Sequence, residues 1–345
     1  MRAIVHNGKT TYFTADHPTP KLAAGEALIR VHLAALCNTD REVMAGYSPG
    51  FNKVMGHEFV GTVEALADGA DDAAKALIGK RVVGEINLSC FSPDCPYCST
   101  RRSSQCPKRV VAGIHNRDGC FADYIALPAR LLHLVPEGLS NDAAIFTEPL
   151  AAALRITEAS HISPDQPIAL VGDGRLAYMI AQVIAFTGAP MTVFGLCKDK
   201  LALFEPFATE ARLIRQSAKQ LSDDNAAEAD PSEEKPHLDA SDIHGFEVVI
   251  DATGHPSGLA TALELTRSGG LLIMKSTYAS NVEINMSEVV VREITIRGSR
   301  CGPFAPALRY LDRKMIHIPS IEVFNPADFE AAFSSQAFKV VLDFT

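Results

Sequence analysis

No apolar run in this chain approaches the ~20 residues needed to cross a bilayer. The longer ones, such as PIALVG (167–172) and LLIM (271–274), stop far short. The opening MRAIVHNGKTTYF has none of the extended apolar segment of a secretory signal. The expected home is therefore the cytoplasm, where thiols stay reduced. An excess of positive charge is also missing: 32 Lys and Arg stand against 41 Asp and Glu, a net charge of −9. That balance argues against nucleic acid or a membrane as partner. Cysteine is sparse, eight in 345 residues, yet four of the eight crowd between Cys90 and Cys106. In a reducing compartment such a cluster is poorly explained as a disulfide knot. No repeat of fixed period is visible. The acidity is partly local, since residues 222–242 hold eight carboxylates and one lysine and read as a solvated, mobile loop.

What is present is enough chain for two domains. Residues 1–150 are rich in short apolar alternations broken by Gly and Pro. EALIRVHLAALC, HEFVGTVEAL and KRVVGEINL read as strands of an irregular β domain. From 151 to 295 the rhythm becomes strand, helix, strand, helix. LAAALRITEAS and RLAYMIAQVIAFTGA are helical, PIALVG and MTVFGL are buried strands, and LALFEPFATEARLI reads as a further helix before the polar loop. FEVVIDATG, TALELTRSG and GLLIMKST continue the alternation, which specifies a parallel sheet covered on both faces. Residues 296–345 look irregular again and are expected to return to the first domain. The fold class is α/β: a β-rich domain joined to a doubly wound parallel sheet.

IALVGDGRLAYMIAQ places Gly172-Asp173-Gly174-Arg175-Leu176-Ala177 between a strand and a helix, the G-x-G-x-x-A form of a dinucleotide cradle. Gly172 permits the tight turn, Gly174 admits a pyrophosphate to the backbone, and Ala177 lets helix and strand approach. An acidic residue about twenty positions on should grip the ribose 2′-OH. Gly195 stands there instead, with Lys198 and Lys200 close by and Asp199 between them. Losing that carboxylate removes its repulsion of a 2′-phosphate, so the pattern leans towards NADP(H). Thr253 in DATG, with Ser276 and Thr277 in STY, lies just beyond sheet strands, where ligands of such sheets bind.

Three stretches supply metal-ligand types: Cys37 in LCNTDRE, His57 and Glu58 in MGHEFVG, and Glu148 in FTEPLAA. A catalytic zinc takes about three protein ligands and keeps an open position. Singly, each residue has an ordinary reading as a core thiol, a satisfied core histidine or a helix-start acid. Together with the cradle they carry weight. GHEFVGTVEALADGA (56–70) fits the signature G-H-E-x2-G-x5-[GA]-x2-[IVSAC]. The chain resembles the zinc-dependent medium-chain dehydrogenase/reductase family over nearly its whole length. CNTD and EPLAAAL are most similar to the threonine and polyol dehydrogenase branch.

The resemblance implies a GroES-like first domain and two zinc ions per chain. The catalytic zinc would use Cys37, His57 and Glu148, with Glu58 the neighbouring carboxylate that exchanges with water. Cys90, Cys95, Cys98 and Cys106, in a lobe over about 88–108, would close around a structural zinc. Their first loop, FSPD, is longer than the family's usual two residues. Thr39 would relay the substrate proton and Asp40 would orient the zinc-bound histidine. Glu42 stands where many relatives carry a relay histidine. Lys339 matches a basic residue that reaches the pyrophosphate. Apart from the resemblance, Arg300, just past the return to the first domain, is a candidate substrate neighbour. The implied activity is hydride transfer between an alcohol or polyol, or its carbonyl, and NAD(P)(H), in a homodimer or homotetramer. An aldehyde reductase or dismutase, or a nucleotide-binding scaffold without turnover, is the alternative.

Overall fold

The computed structural model of the chain describes residues 1–100, 102–214, 238, 242–278 and 281–345. The chain divides into two compact units, Met1–Ala151 with Pro303–Thr345, and Ala152–Gly302. No helix among the described residues is long and apolar enough to cross a membrane.

In the first unit the alternating runs form strands. β1 (Glu26–Ala35) leads into the short helix α1 (Asn38–Met44). β2 (Glu58–Leu66), β3 (Arg81–Gly84), β4 (Tyr124–Pro128) and β5 (Leu132–Leu134) follow, then α2 (Thr147–Ala159). Gly56 makes the turn into β2. Its φ of +88° lies where only glycine is comfortable, and a Cβ there would stand 2.2 Å from the Phe121 ring.

In the second unit β6 (Ile168–Val171), α3 (Arg175–Ala185), β7 (Met191–Gly195), α4 (Lys198–Ala202), β8 (Glu210–Leu213), β9 (Phe246–Asp251), α5 (Pro256–Leu265), β10 (Thr266–Met274), α6 (Met286–Val291) and β11 (Thr295–Gly298) alternate. The sheet runs β8-β7-β6-β9-β10-β11 with every pair parallel. Its order reverses between β6 and β9, the place where such sheets bind ligands. The segment LALFEPFATEARLI departs from the helix expected of it. α4 ends at Ala202, and Glu210–Leu213 pairs with β7 as a strand. Pro206 cannot continue a helix, and Phe204 and Phe207 instead pack edge-on against Tyr178, each with ring centroids 5.6 Å apart. Of the acidic stretch, 222–237 and 239–241 lie outside the described residues. Asp242 departs from the solvated reading, because it is buried and Arg212 Nη1 donates to its carboxylate.

The chain then returns to the first unit through α7 (Phe304–Asp312), β12 (Ile321–Phe324) and β13 (Lys339–Asp343). These complete a sheet of order β5-β3-β2-β1-β13-β12, with β4 also pairing to β1. In this register Ala35 lies opposite Glu58 on one side and Val341 on the other. Cys37, His57, Glu58 and Lys339 are thereby gathered at one end of the sheet. Leu36, Phe121, Phe146 and Phe344 are buried in this unit. Gly56→Ala is expected to lose about 2–4 kcal/mol, from left-handed strain and overpacking. A urea midpoint unchanged from wild type would show that the turn tolerates a side chain.

Candidate functional site

Cys37 stands immediately before α1, and Asp40 lies in that helix's first turn. The Cys37 backbone N–H donates to Asp40 Oδ2 at 2.8 Å, the reciprocal half of a helix-capping arrangement. The other oxygen, Oδ1, lies 3.1 Å from His57 Nδ1. One fully buried carboxylate thus holds both residues. It favours the Nδ1–H tautomer and leaves the Nε2 lone pair for a cation. Burial works against a charged His57 ring, but Asp40, with Cys37 beside it, outweighs burial and holds the imidazolium well above the usual histidine range.

One ligand atom each from Cys37, His57 and Glu58 lies within 4.8 Å of the others. Sulfur, imidazole and carboxylate together suit zinc. Glu148, expected as the third ligand, does not join that set. It sits half-buried in the first turn of α2, whereas Glu58 is delivered beside His57 by the start of β2. The Thr39 hydroxyl is 3.7 Å from the Cys37 sulfur. Glu42 is half-buried on α1. Lys339 is neither a surface lysine nor an open one. It is 2% exposed, its Nζ donates to Glu58 Oε2, and it lies 5.5 Å from the centre of the Phe146 ring.

The cysteine lobe is built almost wholly of turns, with one 3-10 segment at Ser103–Gln105. Cys90 and Cys98 sulfurs are 3.7 Å apart, Cys95 and Cys106 4.0 Å, and Cys90 and Cys106 3.6 Å. Four sulfurs tetrahedrally placed at ~2.3 Å from zinc would be ~3.8 Å apart. A disulfide needs ~2.05 Å, and all eight cysteines are free. Backbone N–H groups of Cys90 and Lys108 point at the Cys106 sulfur and help pull its thiol down to about 7. Those of Cys98 and Tyr97 likewise lower Cys95. Such donors favour the thiolate, the metal-ligating form. The longer first loop is taken up at Phe91, whose φ is +51° and whose ring lies 5.0 Å from the Arg130 guanidinium carbon.

In the second unit, Gly172 has φ +126°, and a Cβ there would meet the Ala252 carbonyl oxygen at 2.8 Å. A Cβ on Gly174 would meet nothing within 4 Å, which leaves open approach to the first turn of α3. Ala177 is fully buried, and Arg175 and Leu176 are half-buried. Gly195 ends β7, Lys198 is exposed and Lys200 half-buried. Thr253 Oγ1 donates to Asp251 Oδ1 at 2.8 Å, and Ser276 Oγ accepts from the Gly254 N–H at 2.8 Å. Thr277 is exposed.

Residues 23–137 match the family model for the alcohol dehydrogenase GroES-like domain. An erythritol/L-threitol dehydrogenase of Mycolicibacterium smegmatis is 28% identical over 319 residues, covering 88% of this chain and 84% of that protein. A sorbitol dehydrogenase of Halalkalibacterium halodurans is 25% identical over 356 residues, covering 99% of each. A crystal structure of an alcohol dehydrogenase (rspB) from E. coli CFT073, solved with NADH, shares the fold with a TM-score of 0.81 and 23% identity, covering 99% of each chain. The chain is similar to alcohol and polyol dehydrogenases over most of its length, and its first domain carries the alcohol dehydrogenase GroES-like match.

Several residues near the candidate sites carry no sequence signal of their own. Tyr278 donates to Asp251 Oδ2 at 2.6 Å; its burial, with that carboxylate, raises its hydroxyl pKa. Lys275 is buried and donates to the Ala152 and Arg300 carbonyls at 2.7 and 3.0 Å. The Arg300 backbone is thus tied to the strand end. Its only sequence cue is a lysine straight after the apolar run LLIM.

Two outcomes follow from the geometry of the first unit. Lys339→Met should cost about 3–5 kcal/mol by stranding the buried Glu58 charge, and adding Glu58→Gln should recover most of it. Additive losses in denaturant titration would show that the pair is not coupled. Asp40→Asn should weaken zinc at this site roughly 10–100-fold, read by competition with a chromophoric chelator. Unchanged affinity would remove Asp40 from the support of the ligands.

Proposed function

We propose that the chain is a zinc-dependent oxidoreductase that moves hydride between a polyol or other secondary alcohol, or its carbonyl, and NAD(P)(H). The observation that carries this reading is the cluster of Cys37, His57 and Glu58, with Asp40 bonded to two of its members. The names of the curated relatives, erythritol/L-threitol and sorbitol dehydrogenase, point to polyols. A bound zinc supplies Lewis acidity, which makes an oxygen in its open position easier to deprotonate.

The protein's own residues do the rest. Cys37, His57 and Glu58 would hold the ion, with Glu148 the second carboxylate available to this domain. Asp40 keeps the His57 ring turned so that Nε2 faces it. Thr39, beside the Cys37 sulfur, would take the substrate hydroxyl proton, and Glu42 on the same helix would pass it outward. Gly172, Gly174 and the start of α3 would bind the pyrophosphate, with Thr253, Ser276 and Thr277 bordering the remainder of the dinucleotide. Gly195, Lys198 and Lys200 would border the adenosine ribose, where NAD(H) and NADP(H) are told apart.

Cys90, Cys95, Cys98 and Cys106 would close around a second zinc with no open position, a structural role. A reducing compartment, the cytoplasm, fits eight free thiols. Self-association as a homodimer or homotetramer is supported by Met286, Val290 and Val291, which are 57%, 71% and 81% exposed on α6.

Metal analysis of the purified protein should give two zinc ions per chain, and Cys106→Ala should leave one. Cys37→Ala should abolish oxidation of a polyol panel while NADH or NADPH still binds. Full turnover without the Cys37 sulfur would sink the ligand assignment.

A further inference from the structure

Gly195 closes β7 at the position from which a carboxylate normally reaches the adenosine ribose. The place is not vacant of acid. A Cβ on Gly195 would stand 2.8 Å from both Cβ and Oδ2 of Asp173, and 2.8 Å from Leu201 Cδ2. The Asp173 side chain, arriving from the glycine loop, thus occupies the volume where a residue-195 side chain would begin. Its Oδ2 accepts the backbone N–H groups of Leu196 and Cys197, both at 2.8 Å. Its Oδ1 receives no hydrogen bond from the described residues, and the side chain is only half-buried. One oxygen therefore anchors the carboxylate to the loop that leads into Lys198, and the other is left to accept.

We propose that Asp173 is the specificity-determining residue of the cofactor site, accepting a ribose hydroxyl in place of the missing strand-end acid, so that the protein prefers NAD(H) to NADP(H). This rests on the dinucleotide reading above and reverses the preference suggested by Gly195 in the sequence. The electrostatics set the direction. A 2′-phosphate within hydrogen-bond reach of a fixed carboxylate meets like charge in a partly desolvated place, where repulsion is stronger than in water. Lys198 is exposed, so its charge is the more screened. A glycine at 195 is then required by packing and no longer signals tolerance of phosphate.

The test is titration of the purified protein with NADH and NADPH by nucleotide fluorescence, with 5′-AMP and 2′,5′-ADP isolating the ribose phosphate. Wild type should bind NADH more tightly than NADPH. Asp173→Asn keeps an oxygen for the two backbone donors but loses the charge. It should shrink the NADH:NADPH affinity ratio by roughly 10- to 100-fold, the scale of a hydrogen bond to a charged group, with an unchanged thermal midpoint. The 5′-AMP:2′,5′-ADP ratio should fall in parallel. Tighter NADPH binding by wild type, or an Asp173→Asn ratio equal to wild type, overturns the proposal while leaving the cradle in place. Binding of neither dinucleotide overturns the cradle reading and this inference with it.

Discussion

Strand register around Ala35 is the constraint on which the candidate metal centre depends. Ala35 has Glu58 opposite on one neighbouring strand and Val341 on the other. The Leu36 N–H donates to the Val340 carbonyl at 3.0 Å and fixes that alignment. Cys37, His57, Glu58 and Lys339 all sit within two residues of those three positions. A slip of one residue would turn each side chain to the opposite face of its strand. The sulfur, the imidazole and the paired carboxylate would then no longer converge. Burial on both sides of β1 is what makes such a slip unfavourable.

Convergence of this kind concentrates charge in a dry place. Asp40, His57, Glu58 and Lys339 are all nearly inaccessible to solvent. Each is stabilised by a specific neighbour: Asp40 by the Cys37 N–H and the His57 ring, Glu58 by Lys339. A buried pair contributes little net stability against an apolar replacement, and losing one partner is strongly destabilising. The retention of four such groups together is better explained by chemistry than by folding. The same arrangement orients His57 and sets its proton affinity, so positioning and electrostatics come from one set of contacts.

The two clusters that could hold a metal ion differ in kind. One mixes sulfur, nitrogen and oxygen at the end of the main sheet, and its residues come from separate stretches of chain. The lobe is four sulfurs within seventeen residues of turn structure. Backbone N–H groups fold over the Cys95 and Cys106 sulfurs, a local arrangement within the lobe. In the parallel sheet, likewise, the glycine turn is local to one strand, one turn and one helix, but the space at the end of β7 is filled by the Asp173 side chain crossing from that turn.

That distinction between local and through-space features decides what could be read in advance. Hydrophobic periodicity, the G-x-G-x-x-A turn, the GHE signature and the cysteine spacing are properties of short stretches. The α/β class, the resemblance to zinc-dependent dehydrogenases and the residue types available for metal are therefore legible in the residues alone. The run ending in ARLI has the look of a helix, but Pro206 and the aromatic packing on Tyr178 override its propensity. Asp242 looks solvated in the sequence because its partner Arg212 lies 30 residues away. By itself the sequence determined which groups were available for metal and cofactor. Only the tertiary structure decided that Glu58 and not Glu148 stands with Cys37 and His57, and that Lys339 meets Glu58 across 281 residues. It also decided that Asp173 fills the space above Gly195. Those outcomes come from register and packing between distant segments, whose free energy no single stretch of sequence contains.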